Sequence, residues 1–162
     1  MTTYYLFRHG QTYATKYHLP YFFNPHIGIL PGAAPALKRV AAYLQTIPSD
    51  LNVTSAFKRC RQSADIVTKI TGQPFVVDPR LNEYYLTTFS SFTARLKNFL
   101  SETDQKNYQN VVICTHGGIM SGLKHLIMEN NFKFTQLPDY PLPGILLIVD
   151  RQHCRQIDFT KC

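Results

Sequence analysis

Two histidines and two arginines fall where they could share one task. Arg8-His9-Gly10 ends the apolar, β-favouring run 3–7, Thr115-His116-Gly117-Gly118 ends the apolar run 111–114, and Arg59 follows the short run 51–54. Transfer of a phosphoryl group calls for such a set. A neutral imidazole such as His9 can attack phosphorus as a nucleophile. The planar, permanently charged guanidinium groups of Arg8 and Arg59 match phosphate oxygens. His116 can donate a hydrogen bond to the same group, and glycines such as Gly117 let backbone N–H groups at a helix start approach an anion. A departing alkoxide then needs a proton. Glu83, in Arg80-Leu81-Asn82-Glu83, is the carboxyl group placed to supply it. Gln11, Thr12 and Tyr84 adjoin these residues and are expected at the pocket rim.

The surrounding elements must bring these clusters to one rim. Apolar residues at helical spacing predict helices over 33–44, 57–70, 91–100 and from 117 to about 128, with Pro48 and Gly72 as stop signals. Strands are predicted over 51–54, 75–77, 111–114 and 145–149, with a last one near 156–159. Residues 11–31, punctuated by Pro20, Asn24-Pro25, Gly28 and Pro31-Gly32, read mostly as a long loop, and loops of that length are usually functional or mobile. Within it, the aromatic stretch 17–26, with His18, Tyr21, Phe22, Phe23 and His26, can either contact substrate or fold onto the body. Run 111–114 is apolar throughout, as in a strand covered on both faces of a parallel sheet. Alternating strands and helices imply an α/β fold: a three-layer α/β/α sandwich with a mostly parallel central sheet, one domain over 1–162. In such sheets ligands gather at the carboxyl ends of the strands, where the arginines and histidines lie.

At this point the residues carry a resemblance. Arg8-His9-Gly10-Gln11-Thr12 resembles the signature of the histidine phosphatase superfamily, which includes the cofactor-dependent phosphoglycerate mutases. Leu30-Pro31-Gly32 resembles the family's segment after the first loop, and the block from Ser55 to Ala64, containing Arg59, resembles its second phosphate-binding block. Arg80-Leu81-Asn82-Glu83 resembles the acid-bearing block, and Thr115-His116-Gly117-Gly118 the second histidine block. It is the ordered set, rather than R-H-G alone, that carries the likeness. The resemblance implies a phosphoglycerate mutase-like fold and a two-step mechanism, and since no His/Asp/Cys ligand set appears in the sequence, no metal or other cofactor is expected. His9 takes the phosphoryl group, Arg8, Arg59 and His116 hold its oxygens, Glu83 protonates the leaving group, and water then hydrolyses the phosphohistidine.

Two departures narrow this expectation. Many relatives place an Asn a few residues past R-H-G, but 12–17 contains none. Only 32 residues separate Glu83 from His116, where the mutases carry a larger, lid-forming insertion. An open site for simple hydrolysis, or for a bulky substrate, is therefore expected, with a phosphatase acting on a small phosphorylated metabolite as the first reading, a protein phosphohistidine phosphatase as the alternative and a phosphate-binding regulatory module without turnover as a third reading. The formal net charge of +7 favours anionic partners. Its basic residues are scattered, with the densest group at Lys58, Arg59 and Arg61, so a nucleic-acid footprint is not expected. Cys60, Cys114, Cys154 and Cys162 show no metal-type spacing. With no signal peptide and no run of membrane-span length, a reduced cytoplasmic setting is expected.

Overall fold

A computed structural model describes residues 1–20 and 23–161. In chain order its elements are β1 (Thr3–Arg8), α1 (Tyr13–Lys16), α2 (Ala34–Leu44), β2 (Leu51–Thr54), α3 (Lys58–Thr71), β3 (Val76–Val77), α4 (Phe89–Gln105), β4 (Asn110–Thr115), α5 (Gly117–Glu129), β5 (Ile145–Val149) and β6 (Cys154–Asp158). Short 3₁₀ turns precede α2 at Pro31–Ala33 and follow β3 at Pro79–Leu81, and a third lies at Phe134–Gln136. The loop expected over 11–31 thus contains one helical turn, capped by Thr12, whose Oγ1 accepts the Thr15 N–H at 3.1 Å. Helix α4 runs beyond the expected 91–100 at both ends. Thr88 caps its start, and the added C-terminal turn is polar, with little apolar patterning to announce it.

The six strands form one sheet in the order β3-β2-β4-β1-β5-β6. β1, β2, β3 and β4 run parallel, while β5 and β6 are antiparallel additions at one side. Strand alternation sorts β1 onto two faces. Tyr4 and Leu6 enter a core with Phe92, Leu96 and Phe99 of α4 and Ile119, Met120 and Leu123 of α5. Tyr5 and Phe7 enter the opposite core with Leu37, Val40 and Leu44 of α2 and Ala64 and Val67 of α3. Helices therefore cover both faces, giving the three layers. The last strand, β6, is largely exposed and polar, as suits a sheet edge.

Register fixes the site. Arg8 pairs with Thr115 across β1 and β4, and Thr54 pairs with Cys114 across β2 and β4. The pairing continues one step further: His9 N–H donates to the Thr115 carbonyl at 3.0 Å, and Ser55 N–H to the Cys114 carbonyl at 3.1 Å. The residues just past three adjacent parallel strands are therefore level with one another at their carboxyl ends.

Candidate active site

His9 is 2% exposed. Its Nδ1 lies 2.8 Å from the Gly10 carbonyl, an acceptor, so Nδ1 carries the proton. Its Nε2 receives the Nε–H of Arg59 at 3.2 Å, so Nε2 presents its lone pair. Burial, then the charges of Arg8 and Arg59, push the His9 pKa well below its usual value. The ring is thus held neutral, in one tautomer, with its nucleophilic nitrogen facing two cations. Gly10 is dictated by close packing: a Cβ there would lie 2.7 Å from the Ala33 Cβ and 3.0 Å from Leu37 Cδ1. Its N–H donates to Ser63 Oγ at 2.8 Å, and Ser63 in turn donates to the Arg59 carbonyl at 2.7 Å. Ser63 therefore ties the His9 turn to the helix that carries Arg59.

Arg59 points inward from the first turn of α3, while Lys58 and Arg61 beside it are exposed. Its Nη1 donates to the Asn24 carbonyl at 2.9 Å, and Nη2 stands 3.5 Å from Glu83 Oε2. Arg8 lies on the other side, its guanidinium 5.0 Å from the centre of the Tyr140 ring and its buried Nε without a hydrogen-bond acceptor. Burial lowers the pKa of both arginines from their usual value.

His116 is fully buried at the N-cap of α5. Its Nε2 lies 2.8 Å from Ser55 Oγ. The Ser55 hydroxyl proton is directed to Asn82 Oδ1 at 3.0 Å, an oxygen that also accepts the Ala56 N–H at 2.8 Å. Ser55 Oγ therefore accepts from His116, whose Nε2 carries the proton. That leaves Nδ1 bare, buried without a hydrogen bond, and 3.4 Å from Glu83 Oε2. Burial, then the neighbouring His9, Arg59 and Arg8, hold the His116 pKa well below its usual value.

The Glu83 carboxyl sits between Arg59 and the bare Nδ1 of His116, beside a guanidinium that attracts an anionic oxygen. Both contacts are longer than good hydrogen bonds, so it is loosely held there. Burial raises its pKa, against the opposing pull of Arg59, the Tyr84 N–H and Arg8. The Glu83 backbone is fixed more firmly. Thr115 Oγ1 donates to the Leu81 carbonyl at 2.7 Å, and Arg95 of α4 donates to the Asn82 carbonyl.

All nine residues singled out from the sequence come together. Arg8, His9, Gln11, Thr12, Arg59, Glu83, Tyr84 and Gly117 line one cavity of about 1060 Å³, and His116 lies behind Glu83. The aromatic stretch divides between the cavity and the body of the protein. His18 lines the cavity, whereas Phe23 stacks on Tyr85 with ring centres 4.8 Å apart. His26 is exposed, and Tyr21 and Phe22 lie outside the described residues. His125 packs in α5 with its ring nitrogens 3.1 Å from Glu129 and 2.7 Å from Asp139, and His153 is exposed in the β5–β6 turn. Sequence reasoning assigned no role to Ser55, Asn82, Ser63, Arg95 or Tyr140. Tyr140 covers the start of α5 so closely that a Cβ on Gly117 would lie 2.4 Å from its ring. Among the described residues, no group of three or more His, Cys, Asp or Glu could hold a metal ion, Cys60, Cys114 and Cys154 are free, and no helix is long and apolar enough to cross a membrane.

Comparison with solved structures shows the same fold at low sequence identity. The alpha-ribazole phosphatase from Shigella flexneri superposes with a TM-score of 0.79 at 18% identity, over 92% of this chain and 90% of that one. YhfR from Bacillus stearothermophilus gives 0.77 at 19% identity, over 93% and 91%. A mycobacterial glucosyl-3-phosphoglycerate phosphatase in complex with VO3 gives 0.77 at 16% identity, over 97% of each chain. No curated protein sequence matches the chain. The family model of the histidine phosphatase superfamily (branch 1) matches residues 4–91, a span holding Arg8, His9, Arg59 and Glu83. With the strand ends, the two histidines and both arginines arranged as described, the chain belongs to the histidine phosphatase superfamily.

Proposed function

We propose that this protein is a phosphatase that hydrolyses phosphate monoesters through a phosphohistidine on His9, without a metal. The observation that carries the reading is the state of His9: Nδ1–H committed to the Gly10 carbonyl, and the Nε2 lone pair meeting Arg59. In the first step Nε2 attacks phosphorus and the bond from phosphorus to the ester oxygen breaks. Protonated Glu83 gives its proton to the departing alkoxide, and its raised pKa favours that form. The phosphoryl oxygens take over Arg59 from His9, engage Arg8, and receive N–H groups at the start of α5. In the second step water attacks phosphorus, Glu83 takes a proton from it, and the P–N bond breaks to release phosphate and neutral His9. Proton transfer of this kind contributes about 10²–10⁴ in rate, and fixed donors to the oxygens a comparable amount.

An incoming phosphoryl group displaces the Glu83 carboxyl from its place between Arg59 and His116. That movement brings His116 Nδ1 to the oxygens and carries Glu83 toward the leaving group. His116 then needs protons on both nitrogens, Nε2–H on Ser55 and Nδ1–H on the phosphoryl oxygen. The second reading, dephosphorylation of a phosphohistidine protein, draws support from the wide cavity, which has Leu142 69% exposed at its edge. Imidazole leaves more readily than an alkoxide, so Glu83→Gln separates the two. A loss of about 10²-fold or more on alkyl phosphates is expected for the ester reading. No loss on a phosphohistidine protein, together with higher wild-type turnover of it, supports the second. Absence of turnover on every phosphate compound by folded, pure protein removes both.

A further inference from the structure

The cavity is far larger than a phosphoryl group requires. Ligand pockets of roughly 300–1,000 Å³ enclose molecules of drug size, and this one measures about 1060 Å³. Its arm leading away from His9 runs between the start of α2 and the segment 137–143. The wall there is apolar: Leu19, Ala36, Leu137, Tyr140, Leu142 and Pro143 all face it. Outside the cluster of Arg8, Arg59 and Glu83, the only charged lining residue among those described is Arg39, and its Nε–H is already given to the Phe159 carbonyl at 2.8 Å.

The threonine hydroxyl groups of that lining are also engaged. Thr15 donates to the Thr12 carbonyl at 3.1 Å, Thr12 Oγ1 accepts the Thr15 N–H at 3.1 Å, and Thr160 Oγ1 donates to Asp158 at 2.5 Å. A polyol or a second anionic group entering this arm would lose water and find mainly the Arg39 terminal nitrogens and the Tyr140 hydroxyl as partners, against a wall that is otherwise apolar, which costs affinity. An apolar body would instead cover Leu142 and Tyr140, which are 69% and 39% exposed. The wall is also braced. Asp139, next to Tyr140, is bound by Lys124 at 2.5 Å and by His125 at 2.7 Å, and Ser121 Oγ donates to the Gln136 carbonyl at 2.5 Å.

Resting on the phosphatase reading above, we propose that the alcohol released is bulky and predominantly apolar, of aromatic size, and is bound by the 137–143 segment against the start of α2. The substrate class is a phosphate monoester of an arylalkyl-like alcohol, and polyol phosphates are discriminated against.

The test compares four primary alkyl esters, whose leaving groups are similar in basicity: propyl, 2-phenylethyl, 2-(naphthyl)ethyl and glycerol 3-phosphate. Binding of propylphosphonate and 2-phenylethylphosphonate is measured in parallel by calorimetry. The phenylethyl ester is expected to exceed the propyl ester in kcat/KM by about tenfold or more, chiefly through KM, with glycerol 3-phosphate no better than propyl. Leu142→Asn should shrink the phenylethyl-to-propyl ratio at least threefold in both readouts. Leu86→Asn, at an 86% exposed residue that is not part of the cavity wall, should keep it. Ratios within threefold of unity, or a preference for the glycerol ester, overturn the subsite while leaving hydrolysis standing. If no ester turns over, the hydrolytic reading fails, and the phosphonate ratio still decides the subsite.

Discussion

Replacing Ser55 by Ala tests the hydrogen-bond logic that orients His116. Ser55 Oγ accepts from His116 Nε2 at 2.8 Å and from Phe57 N–H at 3.2 Å, and donates to Asn82 at 3.0 Å. Alanine removes the hydroxyl from a place with no access to water, since Ser55 and His116 are both 0% exposed. Asn82 Oδ1 keeps the Ala56 N–H. The His116 N–H is then left with only the weak acceptor Cys60 Sγ at 3.6 Å, and the Phe57 N–H loses its acceptor as well, a cost of about 1–3 kcal/mol. A chain of this size loses roughly 2–4 °C per kcal/mol, so the melting temperature should fall by about 2–12 °C. The neutral ring should also shift its proton toward Nδ1, where Glu83 Oε2 is the nearest acceptor at 3.4 Å. ¹⁵N NMR of the histidine side chains reads that tautomer directly. Turnover of a simple phosphate ester should drop on the order of tenfold to a hundredfold, because His116 no longer meets the phosphoryl group at a fixed angle. If the ¹⁵N signals of His116 keep the Nε2–H pattern and the melting temperature moves by less than about 1 °C, Ser55 does not hold the ring and the assignment of His116 fails.

Three further outcomes follow from the shifted pKa values. His9 and His116 are both held neutral in the fold, so the unfolded chain binds more protons, and stability should fall as pH drops through the ordinary histidine value near 6.5. In anion-free buffer the limiting slope is about 1.4 kcal/mol per pH unit for each histidine, opposed by Glu83, whose raised pKa favours the fold at lower pH; denaturant melts across pH 5–8 that show no loss on the acid side would contradict it. For catalysis, His9 must be neutral and Glu83 protonated in the first step. The acid limb of kcat/KM should therefore lie below the usual histidine value, and the alkaline limb should report loss of the Glu83 proton together with that of His116, so Glu83→Gln should change its shape but leave the His116 part. Vanadate or phosphate should bind with uptake of a proton, because an anion at Nδ1 restores charge to His116. Calorimetry in buffers of different ionisation enthalpy measures this, and an uptake of zero at mildly acidic to neutral pH would contradict it.

The sequence was most legible where one face of an element is buried. Runs 51–54 and 145–149 coincide with β2 and β5, because apolar side chains there fill cores on one or both faces of the sheet. The ends of α4 were less visible, since its last turn is polar and Thr103 is its one buried residue. The chemical groups were legible because each lies at, or within a few residues past, the carboxyl end of a parallel strand, so topology carries them to one edge. Their supports were not. Ser55 meets His116 across 61 positions, Ser63 meets Gly10 across 53, and Tyr140 reaches Arg8 from a segment with no chemical motif. Hydrogen bonds between such distant positions leave no periodicity to read.

The most direct test of the account is to trap the phosphoryl-enzyme. Pure protein is mixed with a ³²P-labelled monoester, quenched in alkali within a turnover, digested, and mapped by mass spectrometry. The account predicts one acid-labile, alkali-stable phosphoryl group on Nε2 of His9, formed by the wild type and absent from His9→Ala. Label on another residue, or steady hydrolysis by His9→Ala at the wild-type rate, would contradict it.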